Sequence, residues 1–188
     1  MLYVFGLERV GVVVGDLYFV DPEPARGQEG AEQGVRLELR ALTRGELRGS
    51  VYSAQPIQIG VPIWRVDLLE SVMGQPGSFD RTHYHPMFTG WDPGSRVFAR
   101  ELTADPLGWL SGKLADLDAL LVSAGFPADT AGPEDAENLR CIVPEIVAAT
   151  RRLLDQVRCG ELPNRARGET RAGVAVDRGP ALVRAGWL

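Results

Sequence analysis

The stretch Val35-Arg36-Leu37-Glu38-Leu39-Arg40-Ala41-Leu42 decides the fold class. Val35, Leu37, Leu39 and Ala41 alternate with Arg36, Glu38 and Arg40. A period of two is the signature of a strand with one buried face. Such a strand has its other face in water, as is typical of antiparallel sheet. Outward from it, Leu2–Phe5, Arg9–Val14 and Leu17–Val20 are short, rich in Val, Tyr and Phe, and read as strands. Gly15-Asp16 carries a tight-turn signal between the last two. Residues 22–34, rich in Pro, Gly, Glu and Gln, read as an exposed loop. Arg44-Gly45 turns the chain, and Leu47–Ala54 is expected to return beside Val35–Leu42. Ile57–Ile59 and Val61–Leu69 continue in the same style. Pro56 and Pro62 confine these last segments to edges, strand starts or bulges, because proline cannot donate to a ladder.

Beyond residue 100 the period changes. Asp105-Pro106 is a helix start, with Asp as N-cap and Pro at the first helical position. Leu107, Leu110, Leu114, Leu117 and Leu121 follow at spacings of three and four, and Gly125 is the expected stop. Residues 133–158 form a second helix with an apolar face of Leu139, Ile142, Val143, Ile146, Val147, Leu153, Leu154 and Val157. Pro144 lies inside it and predicts a kink or break. The fold class is therefore α+β: an antiparallel β-sheet, as a sandwich or half-barrel of about five to seven strands, followed by two helices packed on it. Residues 1–160 form one domain. Residues 161–188, rich in Arg, Gly and Pro but carrying Val174, Val176, Leu182, Val183, Trp187 and Leu188, are expected to dock as a tail on the domain or on a partner.

The 188 residues are 45% hydrophobic and 24% charged, with a net charge of -5. That is ordinary for a globular domain, long enough to bury a core, and it argues against nucleic-acid binding. Lys113 is the one lysine among the basic residues, a bias that fits a GC-rich bacterial genome. Cys141 and Cys159 lie about 27 Å apart along a straight helix and should not pair. No signal-peptide pattern and no apolar run of about 20 residues is present, so the expected compartment is the cytoplasm and no membrane partner is expected.

Chemistry concentrates in Phe79-Asp-Arg-Thr-His-Tyr-His-Pro86. The chain's two histidines, His83 and His85, are here. On an extended strand both fall on one face with Cβ atoms about 6–7 Å apart. Two imidazoles so placed can hold one divalent metal ion at about 2.0–2.1 Å each. The candidate acids for a further ligand are Asp67, Glu70, Asp80 and, later, Asp92. Asp67 and Glu70 face opposite ways on a regular strand, so only a bulge would let both serve. Arg81 and Tyr84 are candidate ligand-binding residues, Arg81 as part of an anion pocket with the histidines. No Walker loop, GxGxxG or GxSxG motif occurs.

Gly77-Ser-Phe-Asp-Arg-Thr-His83-Tyr-His85 resembles the opening of the first cupin motif, a glycine followed after five residues by His-x-His. In that family the two histidines and a following glutamate hold a metal inside a β-barrel. Here no glutamate follows at that spacing, the second cupin motif is absent, and helices come where more strands would be. A histidine-triad nucleotide-binding motif lacks its third histidine. The wider stretch from Arg65 to Pro93 resembles a group of short proteins from GC-rich bacteria, which implies no activity. Two readings stand side by side. One is a binding or accessory protein that meets a protein partner, or a second copy, through its C-terminal tail. The other is a metal-dependent enzyme acting on a small molecule through the His-x-His site.

Overall fold

The computed structural model describes residues 1–46, 49 and 55–160. Its five strands form one open antiparallel sheet in chain order: β1 (Leu2–Gly6), β2 (Val10–Val20), β3 (Ala31–Arg44), β4 (Ile57–Ser71) and β5 (His83–His85). The helices α1 (Arg100–Ala104), α2 (Pro106–Leu114), α3 (Leu117–Ser123) and α4 (Asp135–Arg158) follow. The class is α+β. The expected strand at Leu47–Ala54 and the tail at 161–188 lie outside the described residues, apart from Gly49.

One face of the sheet is apolar. Val10, Val12, Val14, Val35, Leu37, Leu39, Val66 and Leu68 are wholly buried, in one cluster with Leu110, Leu114, Leu121, Leu139, Ile146 and Leu153. Both period-two and period-3.6 stripes thus end in the same core. Leu114→Ala should lower the unfolding free energy by about 2–5 kcal/mol. Denaturant titration checks this, and a loss under about 0.5 kcal/mol would mark Leu114 as a surface residue.

Several local signals were overridden. Gly15-Asp16 makes no turn: β2 runs through it, with Gly15 paired to Leu2 on one side and Arg36 on the other. Pairing on both edges outweighs a two-residue turn preference. β3 starts at Ala31, within the expected loop, because Glu32 and Gln33 find partners in Ser71 and Glu70. The helical stretch after Pro106 is divided at Ala115-Asp116, where the Asp116 carboxylate accepts from Ala119 N at 3.1 Å and starts α3. Asp105 caps α2 through Gly108 N, and Gly125, at φ +78°, follows α3. α4 does not break at Pro144. Pro144 and Arg140 are both on the exposed side of the helix, while Val143 and Ile146 hold the buried side. Pro62 sits in β4 at an irregularity in the β3–β4 register, where a missing donor does least harm. Cys141 and Cys159 are free and exposed.

The largest departure concerns the other face of the sheet. Arg36, Glu38 and Arg40 do alternate with the apolar residues, but the face they form is not wet: the Glu38 side chain is only 9% exposed. Aromatic residues following β5 lie against it. Arg65 stacks on Phe88, Arg40 on Trp91, and Phe98 lies 5.5 Å from the His83 ring.

Candidate metal centre

Register builds the site on that covered polar face. Arg36 of β3 stands opposite Asp67 of β4, which stands opposite His83 of β5. The next row on the same face is Glu38, Arg65 and His85. Six polar side chains from three strands therefore share one patch, simply because residues two apart share a face. Asp67, His83 and His85 are all buried.

The two imidazoles meet almost edge to face, with ring centroids 5.1 Å apart. His83 Nδ1 donates to the Arg81 carbonyl at 2.8 Å, and His85 Nδ1 donates to the Pro93 carbonyl at 3.1 Å. A carbonyl can only accept, so each neutral ring carries its proton on Nδ1 and turns its Nε2 lone pair inward. Asp67 Oδ2 lies 3.5 Å from His83 Nε2 and 3.8 Å from His85 Nε2. One ligand atom from each of the three residues lies within 4.8 Å of the others. Ligands of a tetrahedral ion at about 2.0–2.1 Å are about 3.3 Å apart, so a contraction of under about 1.5 Å would close the set.

Two guanidinium groups border the triad. Arg36 donates to Asp67 through Nε at 2.7 Å and Nη2 at 3.2 Å. Arg65 donates from Nη2 to His85 Nε2 at 2.8 Å. Its Nε is 3.2 Å from Asp67 Oδ2 but is not aligned to donate there. Burial pushes the Asp67 carboxyl up, yet the hydrogen bonds from Arg36 and the charges of Arg36 and Arg65 prevail and hold it well below the usual carboxylate range. Burial, with Arg65 beside it, lowers His85 to about 4. In metal-stripped protein, an unfolded chain takes up a proton at His85 between pH 6.5 and about 4 while the folded chain does not. The unfolded state then binds more protons, so stability falls as pH drops through that window. Chemical denaturation at pH 7, 5.5 and 4.5 should show the loss, and His85→Gln should flatten it.

The remaining predicted residues sit elsewhere. Glu70 faces away from the triad, where its Oε2 accepts from Gly77 N at 2.6 Å and from Arg158. Asp80 accepts from Ser71 N and Ser78 Oγ, and so shapes the loop before β5. Asp92 accepts from Gly94 N. Arg81 donates to the Gly27 and Glu29 carbonyls, away from the histidine rings. Tyr84, between the histidines, points to the opposite face and packs on Trp109.

Sequence reasoning missed Arg36, Arg65, Glu32 and Arg96, which line a cavity of about 340 Å³ together with the triad. Arg36 belongs to an alternating pattern that by itself predicts a solvent-facing side chain. Glu32 lies in what read as loop. It shares the Arg36 face of β3, with Gly34 between them. A Cβ at Gly34 would sit 2.0 Å from the Leu68 carbonyl oxygen, so glycine lets β3 and β4 close here. Glu32 is 2% exposed and its Oε2 has no hydrogen-bond partner among the described residues. Burial raises its carboxyl, against the charge of Arg96.

Among the described residues, no helix is long and apolar enough to cross a membrane. Comparison with known proteins finds no matching family model, no matching curated protein and no matching solved structure.

Proposed function

We propose that the chain is a metal-dependent protein in which His83, His85 and Asp67 hold one divalent transition-metal ion, whose open positions bind and activate a small molecule in the adjoining cavity. The observation that carries this is the convergence of three lone-pair donors whose orientation is fixed from behind. Both Nδ1 atoms are committed to backbone carbonyls, the usual arrangement for ligating histidines. Two imidazoles and one carboxylate suit zinc with one open position, or iron(II) with several. The acid is drawn from the neighbouring strand, unlike the downstream glutamate of the first cupin motif.

Arg65 supports a second reading. Its Nη2 occupies the His85 lone pair at 2.8 Å, and with Arg36 it balances Asp67 without a metal. On that reading the pocket is a charged binding site, and the chain is the non-enzymatic binding protein that the sequence also allows. Metal entry requires Arg65 to leave His85 Nε2.

Isothermal titration of metal-stripped protein with Zn²⁺ separates the two. One ion per chain is expected, with His83→Ala weakening it by about 100-fold or more, since even outer-shell partners cost about 10–100-fold. Equal affinity for wild type and His83→Ala would exclude the metal reading. The tail residues invoked for a partner lie outside the described residues, and no partner is proposed from them.

A further inference from the structure

The charged side chains beside the triad nearly balance without a metal. Arg36, Arg65 and Arg96 face Asp67 and Glu32, which leaves a surplus of one with both histidines neutral. Asp21, at 3.0 Å from Arg96 Nη2, offsets that surplus, while Glu38 is answered by Arg40. A divalent ion on the triad adds two charges, so the loaded cavity calls for an anion. Ionised guanidinium groups next to an ion recognise planar oxyanions best.

The walls narrow the class further. Phe19 and Leu69 give the cavity an apolar side, with Arg96 lying over the Phe19 ring at 5.8 Å. An organic ligand uses that side; a bare inorganic ion does not. Glu32 Oε2, buried and without a partner, lines the same cavity. A buried oxygen left in that state is satisfied when a ligand brings a donor to it. Beside a divalent ion, a neutral hydroxyl serves better than an ammonium group.

We propose that the metal-loaded cavity binds a small hydroxy acid, its carboxylate on the ion and the arginines and its hydroxyl on Glu32. This rests on the metal reading given above. At about 340 Å³ the cavity is at the small end of ligand sites, which suits a molecule of a few carbons.

Malate and succinate differ by one hydroxyl and make the test. Both are titrated calorimetrically into the zinc-loaded and the metal-stripped full chain, with inorganic phosphate beside them. Malate should bind the zinc-loaded protein at least about tenfold tighter than the stripped protein, and about tenfold tighter than succinate. Glu32→Ala should erase the preference for malate while leaving Zn²⁺ affinity within about threefold. Arg96→Met should weaken both acids alike. Zinc binding without any heat from malate would overturn the proposal, as would equal affinity for the two acids or a response to phosphate alone. Failure of Zn²⁺ itself to bind is a separate result and counts against the metal reading.

Discussion

Replacing Asp67 with alanine should lower the unfolding free energy by about 3–5 kcal/mol, the cost of breaking a buried ion pair by removing one partner. The Asp67 side chain is 2% exposed and is the carboxylate nearest to both Arg36 and Arg65. The Arg65 side chain is 12% exposed and packs on Phe88, so it cannot turn easily to water. Its other acidic neighbour, Glu38, is 4.0 Å from Nη1 and is already held by Arg40. Without Asp67, Arg65 is left as a buried cation against two imidazoles. Urea denaturation of the metal-stripped variant measures the effect. A loss below about 1 kcal/mol, the range of exposed pairs, would mean that the face is wetter than its geometry indicates.

A second large effect is expected far from the candidate site. Asp135 is fully buried at the start of α4. Its Oδ1 accepts from Glu8 N at 2.7 Å, and its Oδ2 accepts from Arg9 N at 3.0 Å, Val10 N at 3.3 Å and Gly132 N at 2.8 Å. One carboxylate thus ties the β1–β2 turn to the N-terminus of α4. Asp135→Ala strands four backbone donors, of which those of Val10 and Gly132 are buried and each cost about 1–3 kcal/mol when left unsatisfied. The expected loss is about 2–6 kcal/mol from these two, a large part of a typical domain's stability. Asp135→Asn should lose less, because its amide oxygen in the Oδ2 place still accepts from Arg9, Val10 and Gly132 while its NH2 faces only Glu8 N. Thermal unfolding followed by circular dichroism checks both variants; an Asn variant as stable as wild type would show that one oxygen suffices.

The parts of this fold that were legible in the sequence are those where a periodic pattern and the core agree. Val35, Leu37 and Leu39 announced a buried face, and Leu110, Leu114 and Leu121 announced a helix stripe. What sat on the opposite face of β3 was not legible. Arg36, Glu38 and Arg40 look solvated by composition, and the aromatic residues that lie against this face of the sheet, Phe88, Trp91 and Phe98, follow no period. The His-x-His pair was visible as a motif, and strand parity limited Asp67 and Glu70 to opposite sides. Choosing between them needed the register of β4 against β5, which no local pattern encodes. Glu32 was hidden because a Pro- and Gly-rich stretch runs directly into β3. Asp135 carried a helix-start residue type, but its four donors come from Gly132 and from the distant segment Glu8–Val10, a relation that only the tertiary fold creates.

The central claim concerns which atom sits on the His85 Nε2 lone pair when metal is offered. Crystals grown with Zn²⁺ and measured at the zinc absorption edge answer it directly. One anomalous peak per chain is expected, about 2.0–2.2 Å from His83 Nε2, His85 Nε2 and an Asp67 carboxylate oxygen, with Arg65 swung away from His85. No peak there, with Arg65 Nη2 still donating to His85 Nε2, would contradict it.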